Sequence, residues 1–226
     1  MGRILQAIDE LGIAESTFVI YMSDNGGGRR SPLRGGKGSL YEGGLRVPLI
    51  IRGPGVEADS WCHTPVVGYD FYPTFCEWAG VPDDELPDDL EGGSLVELLG
   101  HGGLGEVKRS QPALIFHFPH YQSDDGPHSA IRLGDLKLLK FYEDDRLALF
   151  DLSDDISEQS DLSQQRGDEV DRLHGLLNDY LTSADAQMPE PNPQYDPQQP
   201  PSGRHRGGGH GGPVDQRRTP RIPRRR

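Results

Sequence analysis

The chain has 226 residues, a net charge of −13 and 34% hydrophobic residues, enough for one large or two small domains with cores of their own. The charge is uneven: Gly203 to Arg226 holds eight arginines against one aspartate, leaving −20 on residues 1–202, an acidic body that argues against a nucleic-acid groove. No run approaches the roughly 20 apolar residues of a membrane span, and the opening MGRILQAIDELG is amphipathic and mixed in charge, unlike a secretory signal.

In chain order, Ile4, Leu5, Ile8 and Leu11 make one apolar helical face, and Gly12 stands where a helix C-cap glycine belongs. The chain thus opens partway into a helix-then-strand unit. TFVIYM follows, an apolar run without alternation, which predicts a strand buried on both faces of a parallel sheet. A second such run, VPLIIR, comes after a glycine-rich loop, so this part reads as an α/β layer. DFYPTFCEWAG predicts a short helix: Pro73 suits its first turn, Phe71, Phe75 and Trp78 share a face, and Gly80 stops it. VPDDELPDDLEGGS is an acidic connector. Then ALIFHF, HSAIRLG, LKLLKFY and LALFDL, separated by SDDGP, GD and EDD, predict an antiparallel meander. Val170, Leu173, Leu176, Leu177, Tyr180 and Leu181 line a helix suited to cover one face of it. From about Met188 the proline-, glutamine-, glycine- and arginine-rich composition predicts disorder. The expected organisation is 1–108, an α/β part; 109–187, an antiparallel sheet plus helix; and 188–226, a disordered tail.

The chemistry concentrates in FVIYMSDNGGGRRSPLRGGKGSLYEGG. Ligands of open α/β sheets bind beyond the carboxyl ends of the strands, and Asp24 and Asn25 follow FVIYM there. Carboxylate and amide oxygens suit Ca²⁺ or Mg²⁺, although Asp-Asn-Gly is also a strong turn sequence. Lys37 is a lone ammonium among glycines, which let backbone approach a ligand while the lysine meets a phosphate or sulfate oxygen. Glu42 and Arg46 form a candidate pair holding the loop. Gly38 after Lys37 breaks the Walker A pattern, and GGKGSLYEGG does not fit GxGxxG. Cys62 and Cys76 lack CxxC spacing and indicate neither a zinc site nor a disulfide framework.

VIYMSDNGG followed by PLRGGKGSLYEGGLRVPLIIRGPG resembles the C-terminal half of a type I, formylglycine-dependent sulfatase of the alkaline phosphatase superfamily. The resemblance continues through TPVVGYDFYPTFCEWAGV, HFPHY, PHSAIRLGDLKLLKFYEDDRLALFDL and MPEPNPQYDP, covering roughly residues 2–197. It implies that Asp24 and Asn25 ligate a divalent cation, usually calcium, and that Lys37 contacts the substrate sulfate; His120 in HFPHY is either a substrate-facing residue, as in relatives with this motif, or a partly buried, hydrogen-bonded histidine. Cation and lysine together would draw charge from the sulfate oxygens as the ester breaks.

The sequence also departs from that family. Its nucleophile, a formylglycine made within C/S-x-P-x-R, has no counterpart here, since Cys62 precedes HTP and Cys76 precedes EWA. The loop from Gly26 to Pro32 is shorter than in many members. The expected function is therefore that of a sulfuric ester hydrolase carrying part of its site, acting on an aryl sulfate or sulfated glycan, with formylglycine supplied by a complementing N-terminal half. The alternatives are an inactive truncated or split-gene fragment, or a binding protein for sulfated polymers, with phosphate-ester chemistry a distant third. Many complete relatives are periplasmic or extracellular. His117 and His128 are further, weaker candidates.

Overall fold

In the computed structural model, residues 1–27, 31–122, 125–190 and 192–196 are described. The predicted first helix is α1 (Gly2–Glu10), and Gly12 follows it at φ +67, the left-handed conformation that ends helices. β1 (Val19–Met22) and β2 (Leu49–Arg52) form a two-stranded sheet, with the short α2 (Glu42–Leu45) between them in sequence. The pair is antiparallel, with Val19 opposite Arg52 and Met22 opposite Leu49. This corrects the expectation of buried parallel strands. No crossover helix spaces β2 away from β1, so the chain doubles back beside it. Tyr21, Met22 and Ile50 are consequently exposed. An apolar run without alternation marks a strand suited to burial on both faces, and among the described residues the two-stranded sheet has no such cover.

α3 (Phe71–Trp78) has the aromatic face expected of it: Phe71 stacks on Phe75, and Phe75 on Trp78, which also stacks on Phe18 at 3.7 Å. That last contact carries α3 against the start of β1. α4 (Val96–Gly100) follows the acidic connector. Beneath these elements lies a buried ion pair. Asp70 takes two bonds from the Arg109 guanidinium (Nε 2.8 Å, Nη2 2.7 Å) and further bonds from the Gly93 and Val67 N–H groups, so every carboxylate lone pair has a use. Arg109 also donates to the Pro65 carbonyl, tying three separate segments together.

The meander forms as expected: β3 (Leu114–Phe118), β4 (His128–Leu133), β5 (Leu136–Phe141) and β6 (Leu147–Asp151) pair in order, all antiparallel. Alternation divides the sheet into two apolar faces. Ile131, Leu138 and Leu149 point to one face, where Val170, Leu173, Leu177 and Leu181 of α5 (Gly167–Ser183) cover them. Leu176, expected on that stripe, is exposed instead, while Tyr180 is part-buried and donates its hydroxyl to the Glu91 carboxylate. A stripe of about 100° does not reach every apolar position in the run. Ala130, Leu139, Phe141, Ala148 and Phe150 point to the other face, where the cover is no helix but Leu40 and Tyr41 of the glycine-rich loop.

Among the described residues no helix is long and apolar enough to cross a membrane. Residues 192–196 include a turn closed by the Tyr195 N–H on the Asn192 carbonyl, and the arginine-rich end expected to be disordered lies outside the described residues.

Asp70→Asn leaves the Arg109 charge buried against a neutral partner. The expected loss of unfolding free energy is about 3–5 kcal/mol, the usual result of removing one member of a buried pair, read by urea denaturation against the parent chain.

Candidate active site

The loop carrying Lys37 is built backbone against backbone. Past β1, Ser23 Oγ donates to the Asn25 carbonyl (3.0 Å) and turns the chain, and Asn25 Nδ2 donates to the Gly26 carbonyl (2.7 Å), leaving Asn25 Oδ1 as the amide's acceptor. Gly26 N–H then bonds the Gly44 carbonyl at 2.9 Å. Glycine is required at this crossing: a Cβ on Gly26 would lie 2.3 Å from the Gly43 oxygen, and one on Gly44 2.0 Å from the Ser39 oxygen. At Gly27, φ +117, a Cβ would sit 2.8 Å from the Lys37 nitrogen. Thus the segment bearing Asp24 and Asn25 packs directly on the backbone of Lys37. From sequence the glycines were expected to admit a ligand; here they bring two stretches of backbone together.

Asp24 and Lys37 are exposed, Asn25 is half-buried, and Lys37 makes no ion pair among the described residues. Residues just after HFPHY also meet this loop: a Cβ on Gly38 would meet Gln122 at 3.1 Å, and Ser39 Oγ donates to Asp125 Oδ2 (2.6 Å). His120 is exposed, its ring edge-on to Phe118 at 5.2 Å. The loop carrying Lys37 thus touches both the segment bearing Asp24 and Asn25 and the residues that follow His120. Asp24 also borders a cleft of ≈ 1310 Å³ walled by Ile50, Trp61, Phe71 and Arg132; Lys37 and His120 do not line it.

The other two histidines are held as structural groups. His128, fully buried, accepts the Leu40 N–H at Nε2 (2.8 Å), so its Nδ1–H donates to the Gly126 carbonyl (2.7 Å). Its ring stacks on Phe141, and burial lowers its pKa. His117 bonds Ser129 Oγ through Nδ1 (2.6 Å), and its Nε2 lies 2.8 Å from the Gln187 carbonyl.

The anticipated Glu42–Arg46 pair is present, as part of a larger buried cluster. Lys137 Nζ lies 2.8 Å from Glu42 Oε1 and 2.9 Å from Glu158 Oε1, and Glu158 Oε2 accepts the Glu42 N–H at 2.6 Å. Burial pushes the Glu42 carboxyl up, but Lys137 and Arg46 outweigh it and hold it below the usual carboxylate value. At Glu158 burial dominates and the carboxyl lies above that value, with Lys137 opposing. Sequence reading missed Lys137 and Glu158. A signal for Lys137 was available: it shares strand parity with Leu139 and Phe141, so it faces the loop-covered side of the sheet.

A four-stranded meander backed by one helix, with a glycine-rich loop laid on its other face, is the architecture shared with sulfatase C-terminal regions. The chain belongs to that family: the family described as N-sulphoglucosamine sulphohydrolase, C-terminal, matches residues 36–186. It is 34% identical to a sulfatase of Formosa agariphila over 82% of this chain and 38% of that protein. It is 32% identical to an N-acetylglucosamine-6-O-sulfatase of Bacteroides thetaiotaomicron over 72% of this chain and 29% of that one. A protein solved in complex with its substrate D-glucosamine-2-N,6-O-disulfate superposes with a TM-score of 0.65 at 28% identity, covering 81% of this chain and 38% of that one. The chain thus spans well under half the length of these relatives.

Because native His128 resists protonation, the unfolded chain binds its proton first as pH falls, and stability declines below the ordinary histidine range. The parent chain is expected to lose more stability than His128→Gln between about pH 7.5 and pH 5.5, measured by chemical denaturation at both values.

Proposed function

We propose that this chain supplies part of a sulfate-ester hydrolysing site. Asp24 and Asn25 contribute oxygens to a divalent cation, calcium by preference, and Lys37 binds the sulfate. His120, on the adjoining loop, contacts the substrate. The observation that supports the reading is the Gly27–Lys37 backbone contact, which brings the segment carrying Asp24 and Asn25 against the loop that carries Lys37.

The donor set fits a hard cation: one carboxylate is exposed, and one amide has its Nδ2 engaged so that its Oδ1 serves as the acceptor. Two oxygens are fewer than calcium takes, and among the described residues no group of three or more His, Cys, Asp or Glu side chains completes a site. In this reading the remaining ligands and the formylglycine nucleophile are supplied by a complementing N-terminal half, since no C/S-x-P-x-R motif occurs in these 226 residues. The cation, when bound, supplies charge neutralisation at the sulfate oxygens. Lys37 adds a point charge with rotatable donors for a sulfate oxygen, and the backbone contacts of its loop set where that side chain starts.

A sulfated glycan is the favoured substrate class, supported by the glucosamine-6-sulfatase relative and by the disulfated glucosamine bound in the similar structure. The organisation that suits this role is an α/β part over residues 1–108 and a sheet-plus-helix platform over 109–187. The cleft walled by Ile50, Trp61 and Phe71 favours the complementing half over an isolated fragment, since apolar surface of this kind is buried in a finished assembly.

The test mixes this chain with a separately prepared N-terminal half carrying matured formylglycine, with calcium and either a chromogenic aryl sulfate or a 6-sulfated glucosamine. Turnover is expected only in the mixture. Lys37→Ala and Asp24→Ala should each lower it about 10²-fold or more, as removal of a charge-stabilising group does. Turnover by the chain alone would place the nucleophile within these residues and end the half-site reading.

A further inference from the structure

We infer that Glu158 is the positioning residue of the sulfate-binding lysine, a buried latch that fixes both ends of the Lys37 loop to the sheet. This rests on the reading of Lys37 given above.

Glu158 is fully buried and has φ +54, a left-handed backbone that side-chain-bearing residues rarely adopt. Glycine would take that backbone more readily. What glycine could not supply is the carboxylate: Oε2 is hydrogen-bonded, while Oε1 has no hydrogen-bond partner among the described residues and is met only by the charge of Lys137. Oε2 accepts the Glu42 N–H, and Oε1 faces Lys137 Nζ, which also grips Glu42 Oε1. The Glu158 carbonyl accepts Arg34 Nη1 at 3.0 Å, while the Arg34 guanidinium lies over the Tyr41 ring at 4.0 Å. Arg34 and Glu42 bracket Lys37 in the sequence. One residue, 116 positions beyond Glu42, thus holds the chain on either side of the lysine.

The latch is itself fixed to β6. Asp155 N–H bonds the Asp151 carbonyl at the strand end, Glu158 N–H bonds the Asp155 carbonyl, and Asp155 Oδ2 accepts the N–H groups of Gln159 and Ser160. Glu158 holds its left-handed backbone within that turn, and its carboxylate reaches the loop at the Glu42 N–H. Lys137, on β5, completes the connection from the neighbouring strand. Glu158 acts through the loop backbone: the loop is set before any anion arrives, so binding spends little on ordering it.

The experiment uses the full chain labelled with ¹³C at lysine Cε. With four lysines there are four signals, and Lys37→Arg assigns one. Sodium sulfate is titrated against sodium chloride of equal ionic strength in the presence of calcium, and amide exchange is followed at Lys37 to Glu42. Glu158→Ala should weaken the sulfate-dependent shift of Lys37 about tenfold, the equivalent of removing one charge-assisted hydrogen bond, and speed exchange across the loop. Glu158→Gln, which keeps an acceptor for the Glu42 N–H, should recover part of both. Val170→Ala, on α5 across the sheet, destabilises the chain and should leave the sulfate response unchanged, which separates positioning from general loss of stability. If Glu158→Ala does not fold, Arg34→Ala opens the other half of the latch and is expected to act in the same direction. A folded Glu158→Ala, or failing that Arg34→Ala, with parental sulfate affinity and loop exchange would overturn the inference. Absence of any saturable Lys37 shift both in the parent chain alone and in its mixture with the N-terminal half would instead remove the sulfate reading, while loop exchange still decides whether Glu158 is the latch.

Discussion

A sheet with two apolar faces must bury both, and that constraint organises this chain. Helix α5 satisfies one face with a stripe of four buried side chains. The other face is satisfied by a loop with almost no regular structure, through Leu40 and Tyr41. Each such side chain contributes roughly 2 kcal/mol by burial. Docking on the sheet is therefore what gives the loop a single conformation, and Lys37 inherits its position from it.

The loop's polar groups make the docking specific. A buried backbone N–H must find a partner, and Leu40 finds His128 while Glu42 finds Glu158. Both partners come from the sheet or the turn just beyond it. Two carboxylates and one ammonium are withdrawn from water here, which is costly unless each charge is matched at close range. The matching is uneven: Lys137 lies between Glu42 and Glu158 and Arg46 serves the outer oxygen of Glu42, whereas Glu158 Oε1 has the charge of Lys137 beside it but no hydrogen bond among the described residues. The opposite pKa directions of the two carboxyls follow from this placement: Lys137 and Arg46 together outweigh burial at Glu42, whereas at Glu158 burial outweighs Lys137 and the neighbouring Glu42 charge adds to it.

Much of this was legible in sequence wherever a local rule acts alone. The four meander strands, α1 with its terminating Gly12, and the aromatic face of α3 came from periodicity and turn chemistry. The pairing of β1 with β2 did not, since a continuous apolar run reports how a strand can be buried and says nothing of which neighbour it takes. Leu176 was misplaced because an apolar residue on a helix need not lie on its buried stripe. Lys137 and Glu158 escaped notice because a lysine and a glutamate read as solvated until a partner far along the chain is known.

The sequence by itself determined which chemistry is present: hard oxygen donors after a strand, one lysine among glycines, and a motif order shared with sulfatases. Those are properties of residue type and near spacing, and they survive without coordinates. Only the tertiary structure decided that Gly27 lies against Lys37, that His128 is a tether, and that residues on either side of the lysine are bound to one buried glutamate. These contacts join positions that the chain separates widely. They depend on how close two backbones can come, which is set by packing in three dimensions and has no period along the sequence.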